Sequence, residues 1–403
     1  MSFLVMTTIL PTEILENVLS YLDNQSLQHI RFVNKAFNKM ALDRLFCRIM
    51  LYGTFEDIKV KAEHISQIVD KYQCKGIKEL SIASTEFQHC GQHQFLNALL
   101  YSLVNMKLHK LMLMQPSVIT KDQLQLILFS HPLKELSCAP FLFDEEVTWI
   151  LLKYGHSLSN LSLDISNMPI LQVIPKLSSC MTRLTHLDLY NGSLSTYEIS
   201  KLLTHFNLKC LTLNEIEISG HVASNSFKLD LLRIDCCAIN SNSFYSLFNP
   251  RKFIVEDSKL ISCNFSSMTR LEILILNQTS LNQLQSCQIG NSRVHKLRFS
   301  HVSLPQGSIS TFLQNTRLSS FDLDHVKCID TVPIEKIKKM SSLKYLRFGL
   351  ITPSFLQLSD IDRFLTLGQH TTFVLSNTIF IEGQEAVKNW IEKAKLPHHL
   401  IIS

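Results

Sequence analysis

From Lys78 onward one unit, Leu-x-x-Leu-x-Leu or a close variant, returns about every two dozen residues, and no other feature of the chain restricts its fold as tightly. The cleanest copies are LSNLSL (158–163), LTHLDL (184–189), LKCLTL (208–213), LDLLRI (229–234), LEILIL (271–276) and LKYLRF (343–348). Aligned on the second apolar position, the anchors are Leu80, Leu111, Leu136, Leu161, Leu187, Leu211, Leu232, Phe253, Leu274, Leu297, Phe321, Leu346 and Phe373, spaced 21 to 31 residues apart. A single repeat cannot bury its apolar face, so such a chain stacks its repeats into a solenoid in which each covers the next. In a strand, alternate side chains face opposite ways. The anchor and the residue two further on therefore point inward, the residues beside the anchor point outward, and the stacked strands form one parallel sheet.

Between the anchors the return segments carry helix signals. Ser195 and Glu198 form a capping-box pair ahead of Ile199, Leu202, Leu203 and Phe206 at helical spacing, and Thr120 and Gln123 stand in the same relation. Val147, Ile150, Leu151 and Tyr154 share one helix face. These stripes predict core packing. The unit resembles the leucine-rich-repeat family, and LDLLRIDCCAI (229–239) is similar to its cysteine-containing subtype, with Cys237 at the subtype's cysteine position. Elsewhere the consensus Asn or Cys is replaced by Ser, Thr or an apolar residue. The resemblance implies an α/β fold: a curved solenoid with its parallel sheet on the concave face and helices or irregular segments on the convex face.

Residues 9–51 carry no repeat unit. Pro11 suits the first position of a helix, Glu13 sits where the helix dipole favours acid, and Ile14, Leu15, Val18, Leu19 and Leu22 make a broad apolar stripe. Leu27 and Ile30 mark a second short helix, and Asn34 is placed to cap a third that carries Phe37, Met40 and Ala41. Three helices in about forty residues bury too little to stand alone, so this piece needs a partner. Its Leu-Pro-x-Glu-Ile-Leu opening (10–15), Leu19 and Leu22, Leu27, and the Val-x-Lys-x-Phe element (33–37) together resemble the F-box family, with Asn34 where many members have Cys and Phe37 where Trp is usual. The resemblance implies docking onto a Skp-family adaptor and, through it, a cullin-RING ubiquitin ligase. Leu10, Pro11, Ile14, Leu15, Val18 and Leu19 would make the contact, supported by Leu22, Leu27, Val33 and Phe37.

The expected order is an N-terminal extension (1–8), the F-box (9–51), a linker helix (52–77), about thirteen repeats (78–380), and a capping helix with its tail (381–403). In the linker, Ile65, Ile68, Val69 and Tyr72 fall at helical spacing to cover the exposed edge of the first repeat. In the final helix Val387, Trp390 and Ile391 face inward.

The rest of the chain narrows the function classes. There is no HExxH, no phosphate-binding glycine loop, no CxxC pair and no nucleophile elbow, so we expect no catalytic residues, no cofactor and no metal. His89, Cys90 and His93 lack a second half for a metal site, and the run Lys336, Lys338, Lys339 reads as a solvated face. A net charge of +5 over 403 residues is too mild for a nucleic-acid binder. No apolar run approaches the roughly 18 residues of a membrane span. The N-terminus has no basic region or small-residue cleavage site, and the eleven cysteines show no paired terminal clusters. Reduced thiols in cytoplasm or nucleus are therefore expected, with Cys237 buried and Cys236 facing the other way.

The informative surface is the concave one. Leu231, Ile254, Ile273 and Ile275 should cluster there on adjacent strands, rimmed by Arg233, Asp235, Glu256 and Arg298, and mixed signs around exposed aliphatics suit a protein ligand. Two other readings stay open: a register shifted by one residue, or a C-terminal tail folded back over the patch. The expected function is substrate recognition within a cullin-RING ligase. The alternative is a repeat scaffold or inhibitor that binds partners without joining a ligase.

Overall fold

The computed structural model describes residues 12–33, 35–45, 47–72, 78–84, 108–114, 119–138, 141–167, 170–221, 226–241, 243–260, 268–281, 293–304, 318–328, 342–349, 351–352, 371–375, 384–393 and 400–402, with isolated residues between. It contains two compact units, Met1–Met168 with Val173–Leu184, and Pro169–Gln172 with Thr185–Ser403.

The first unit opens with three helices, α1 (Thr12–Ser20), α2 (Asn24–Ile30) and α3 (Lys35–Leu45). Asp23 caps α2 by accepting the Ser26 amide at 2.7 Å, satisfying a donor that the helix itself cannot. Leu15, Leu19, Leu27, Phe37 and Ala41 form the core of this bundle, with Leu22, Ile30, Met40 and Leu45 packed around it. Asn34 lies outside the described residues. The chain continues through β1 (Arg48–Gly53), α4 (Phe55–Tyr72), β2 (Glu79–Ser84), β3 (Lys110–Met114), α5 (Lys121–Ser130), β4 (Glu135–Ser137), β5 (Phe141–Leu142), α6 (Glu145–Tyr154), β6 (Asn160–Asp164) and α7 (Ile174–Cys180).

Strands β1 to β4 pair in parallel with Ile49, Leu80, Leu111 and Leu136 side by side. Strand β1 corrects the expectation that the linker helix covers the edge of the first repeat. A helix cannot satisfy a strand's unpaired backbone groups, whereas β1 pairs with β2 along six residues and α4, with Ile58 and Ala62 buried, packs on it. The N-terminal ends of these strands alternate in charge, with Arg48–Glu79 at 3.0 Å and Lys110–Glu135 at 2.5 Å. The Thr120–Gln123 capping box is formed, and α6 buries Val147, Ile150 and Leu151.

The second unit comprises β7 (His186–Ser195), α8 (Thr196–His205), β8 (Cys210–Ser219), β9 (Leu231–Asp235), β10 (Ala238–Ile239), β11 (Lys252–Glu256), β12 (Lys259–Leu260), β13 (Ile273–Asn277) and β14 (Ser280–Leu281). It goes on with β15 (Lys296–Ser300), β16 (Ser303–Leu304), β17 (Ser320–Asp324), β18 (Val326–Cys328), β19 (Tyr345–Phe348), β20 (Ile351–Thr352), β21 (Thr372–Leu375), α9 (Gln384–Lys393) and β22 (Leu400–Ile402). Ser195 and Glu198 form their capping box at the start of α8. Leu187, Leu211, Leu232, Phe253, Leu274, Leu297, Phe321, Leu346 and Phe373 lie opposite one another from strand to strand. All thirteen anchors of the chain are buried, at most 3% exposed, which excludes the shifted register. Between Leu232 and Phe253 a 3-10 turn (Phe244–Leu247) stands in place of a helix and packs Phe244 and Tyr245 inward.

The seven repeats anchored at Leu187, Leu211, Leu232, Phe253, Leu274, Leu297 and Phe321 turn a corner four residues after the anchor. Asn191, Glu215, Cys236, Asp257, Gln278, His301 and His325 all adopt a left-handed backbone, with φ between 47° and 53°. Past the corner, short strands pair in a second parallel ladder, β8–β10–β12–β14, and further on β16–β18–β20. The corner amides reach forward: Cys236, Asp257, Gln278 and His301 donate to the carbonyls of Glu256, Asn277, Ser300 and Asp324 in the following repeat at 2.8–3.1 Å. Next to the corner Cys237 is buried, and the Ile216 amide donates to its sulfur at 3.4 Å. Ser258 accepts the Cys237 amide, and Thr279 donates to the Val255 carbonyl, so hydroxyls fill the consensus Asn or Cys position. The described tail residues, Leu400–Ile402, do not lie over the predicted patch: β22 pairs with β21, and β15, β17, β19 and β21 all stand between it and β13.

Candidate functional site

On the N-terminal helices the predicted stripe divides in two. Leu15, Leu19, Leu27 and Phe37 are core residues of the bundle, because helical spacing turns them toward α2 and α3. They hold the helices together instead of facing a partner. Ile14 and Val18 remain 45% and 54% exposed on the adjacent face, and Val33 is exposed instead of supporting the core; Leu22 is partly buried. Tyr21 and Phe32, which the stripe did not single out, are more exposed still, at 89% and 87%. Leu10 and Pro11 lie outside the described residues. The bundle thus leaves Ile14, Val18, Tyr21, Phe32 and Val33 exposed to water.

The second candidate surface is the outward face of the repeat sheet in the second unit. One row, the position after each anchor, runs Thr212, Arg233, Ile254, Ile275, Arg298, Asp322, Arg347, Val374; the position before runs Cys210, Leu231, Lys252, Ile273, Lys296, Ser320, Tyr345, Thr372. Leu231, Ile273 and Ile275 are half-buried, but the four aliphatics do not form one cluster, because Lys252 stands between Leu231 and Ile273 in their row. Ile254 is not exposed, at 8%: Ile275 flanks it on one side, and on the other Arg233 crosses from β9 to bond Glu256, two residues along Ile254's own strand. Arg233 also meets Asp235 at 3.5 Å. Arg298 meets Asp322 at 3.5 Å, and Arg347 donates to Asp324 at 3.1 Å while standing 3.9 Å from Asp322. Burial raises the Asp322 carboxyl above its ordinary value despite these two guanidinium groups, and its Oδ1 has no hydrogen-bond partner.

Lys252 and Lys296 belong to this surface and were not among the residues the sequence picked out. Their signal was available in the row before the anchor, where two lysines bracket Ile273.

At the corner, Asp235, Cys236 and Asp257 bring ligand atoms within 4.8 Å of one another. Burial, then the neighbouring Asp235 carboxylate, pushes the Cys236 thiol up. Cys47, Cys138, Cys180, Cys210, Cys236 and Cys237 are free. His89, Cys90, His93 and the lysine run at 336–339 lie outside the described residues. No helix among the described residues is long and apolar enough to cross a membrane.

A parallel ladder of stacked Leu-x-x-Leu-x-Leu strands with return segments behind it defines a leucine-rich-repeat fold. The N-terminal segment is an F-box-like domain: residues 7–51 match that family's model. No curated protein matches the chain. Among solved structures the chain is similar to an internalin from Listeria monocytogenes (15% identity, 88% of each chain covered, TM-score 0.43). It is also similar to the Rad7–Elc1 complex of yeast (16% identity, 96% of this chain and 90% of that chain, TM-score 0.42). A leucine-rich-repeat protein of Leptospira interrogans matches at 15% identity over 75% of this chain and 90% of that chain, with a TM-score of 0.28.

Proposed function

We propose that this chain is the substrate-recognition subunit of a cullin-RING ubiquitin ligase, in which the F-box-like domain binds a Skp-family adaptor and the repeats hold a protein substrate. The observation that carries the reading is the exposed apolar face of Ile14, Val18 and Val33 on a segment that matches the F-box-like model. The subunit would act by proximity alone, holding the bound protein near the charged ubiquitin carrier with no catalytic group of its own.

The test is capture of a Skp-family adaptor by the Ile14→Asp, Val18→Asp double variant. Both positions are exposed, so stability should stay within about 0.5 kcal/mol per site of wild type, while a charge in the centre of an apolar interface should abolish capture. Adaptor capture at wild-type levels would refute the ligase reading and favour a repeat scaffold outside any ligase.

A further inference from the structure

The charges on the repeat face are not evenly satisfied. The acids of the row three after the anchor are engaged: Asp235 and Glu256 by Arg233, Asp324 by Arg347 and His325. Nearer the strand starts the balance reverses. Lys252 on β11 and Lys296 on β15 stand on either side of Ile273, and Arg298 stands beside Ile275 and pairs with Asp322. The half-buried aliphatics thus lie in a field of cations whose own anions are few. Asp322 adds a second feature. It is 7% exposed, two guanidinium groups already offset its charge, and Oδ1 still lacks a donor. A neutral N–H suits that position, and a third cation does not.

We propose that this face binds an acidic, aliphatic-containing peptide segment laid across β11, β13 and β15. Its aliphatic side chain packs on Ile273 and Ile275, its carboxylates meet Lys252, Lys296 and Arg298, and a backbone N–H further along donates to Asp322. Carboxylates fit better than a single phosphate. Lys252 and Lys296 are two strand spacings apart, about 10 Å, too far to converge on one phosphate but matched to acids placed along a chain. Nucleic acid fits poorly, because the row of acids borders the same surface. The inference rests on the repeat face being the partner surface and is independent of ligase membership.

The test is selection of a random dodecapeptide display library on the purified full chain, beside the Lys252→Glu, Lys296→Glu variant and with a polyuridine oligonucleotide as a separate probe. Wild type should enrich peptides that are net negative and carry a Leu, Ile or Val. The selected peptides should bind the double variant about tenfold more weakly or worse, and Ile275→Ser should weaken them too, while melting temperatures stay close to wild type. The charge-reversed variant should itself enrich basic peptides. Basic or neutral peptides on wild type, no enrichment at all, or affinity indifferent to the charge reversal would overturn the proposal. Polyuridine binding that disappears in the double variant would overturn it in favour of nucleic acid. Adaptor capture measured on the same preparation separates the two readings, since its loss sinks the ligase assignment and leaves the peptide result standing.

Discussion

Ile254 and Ile275 sit side by side in one row of the same sheet face, yet their environments differ enough to give them different roles. Ile254 is enclosed between Ile275 and the Arg233 side chain, so Ile254→Ser should cost about 2 kcal/mol or more, whereas the half-exposed Ile275→Ser should cost well under that. Thermal melts of the two single variants check this, and equal losses would contradict it. Asp322 allows a second prediction. Its folded-state pKa is raised above 3.8, so the charged form lowers stability above that raised value, and the penalty vanishes once both states are protonated. Asp322→Asn should therefore match or exceed the wild-type melting temperature at neutral pH. The gain should shrink as pH falls through the raised pKa and be gone below 3.8. These details were invisible in the sequence because the pattern of inward and outward positions assigns a face but not how far a neighbour's long side chain leans across it. A closer fit appears at Gly349, where a Cβ would lie 3.1 Å from the Asp324 backbone, so only glycine leaves room for the carboxylate that pairs with Arg347.

Among the elements, the corners show most clearly what the sequence does and does not encode. Seven successive repeats place Asn, Glu, Cys, Asp, Gln and His in left-handed backbone, a conformation that costs an ordinary L-residue about 1 kcal/mol and that Asn and Asp tolerate best. Glu215→Asn should raise the melting temperature, and Glu215→Val should lower it. The contrast tests the backbone effect because position 215 is exposed in either case. The column could not be read in advance because the bend is dictated by forward hydrogen bonds from backbone amides, which leave no residue-type signature. Strand β1 escaped for another reason: its Arg-Ile-Met-Leu follows the helical bundle without the leading Leu-x-x of the repeat, so only its pairing with β2 reveals it. The capping boxes at Thr120 and Ser195 were legible because reciprocal side-chain contacts fix both residue types three positions apart.

For the molecule as a whole, the anchor register was readable from the first repeat to the last, since a period-two strand that must bury one face leaves a single consistent alignment. Leu274 is fully buried, so Leu274→Asp would place an unpaired charge among apolar side chains at a cost of several kcal/mol, comparable to the margin of a typical domain. Soluble, protease-resistant protein from this variant would contradict the repeat assignment. The apolar stripe of the N-terminal helices was legible as a stripe, but which half of it faces water depended on how three helices pack, and that lies beyond a single-helix pattern. The forward-reaching amides give the stack a direction. The corner at Cys236 is completed by the repeat after it, that at Asp257 by the next, and so on to His301 and Asp324. A chain shortened from its C-terminal side therefore strands the corner donor of the repeat left at the end, while one shortened from the other side leaves every remaining corner closed. During synthesis each repeat would then stay unfinished until its successor emerges, and frameshifts late in the repeats should unravel more than the residues they replace.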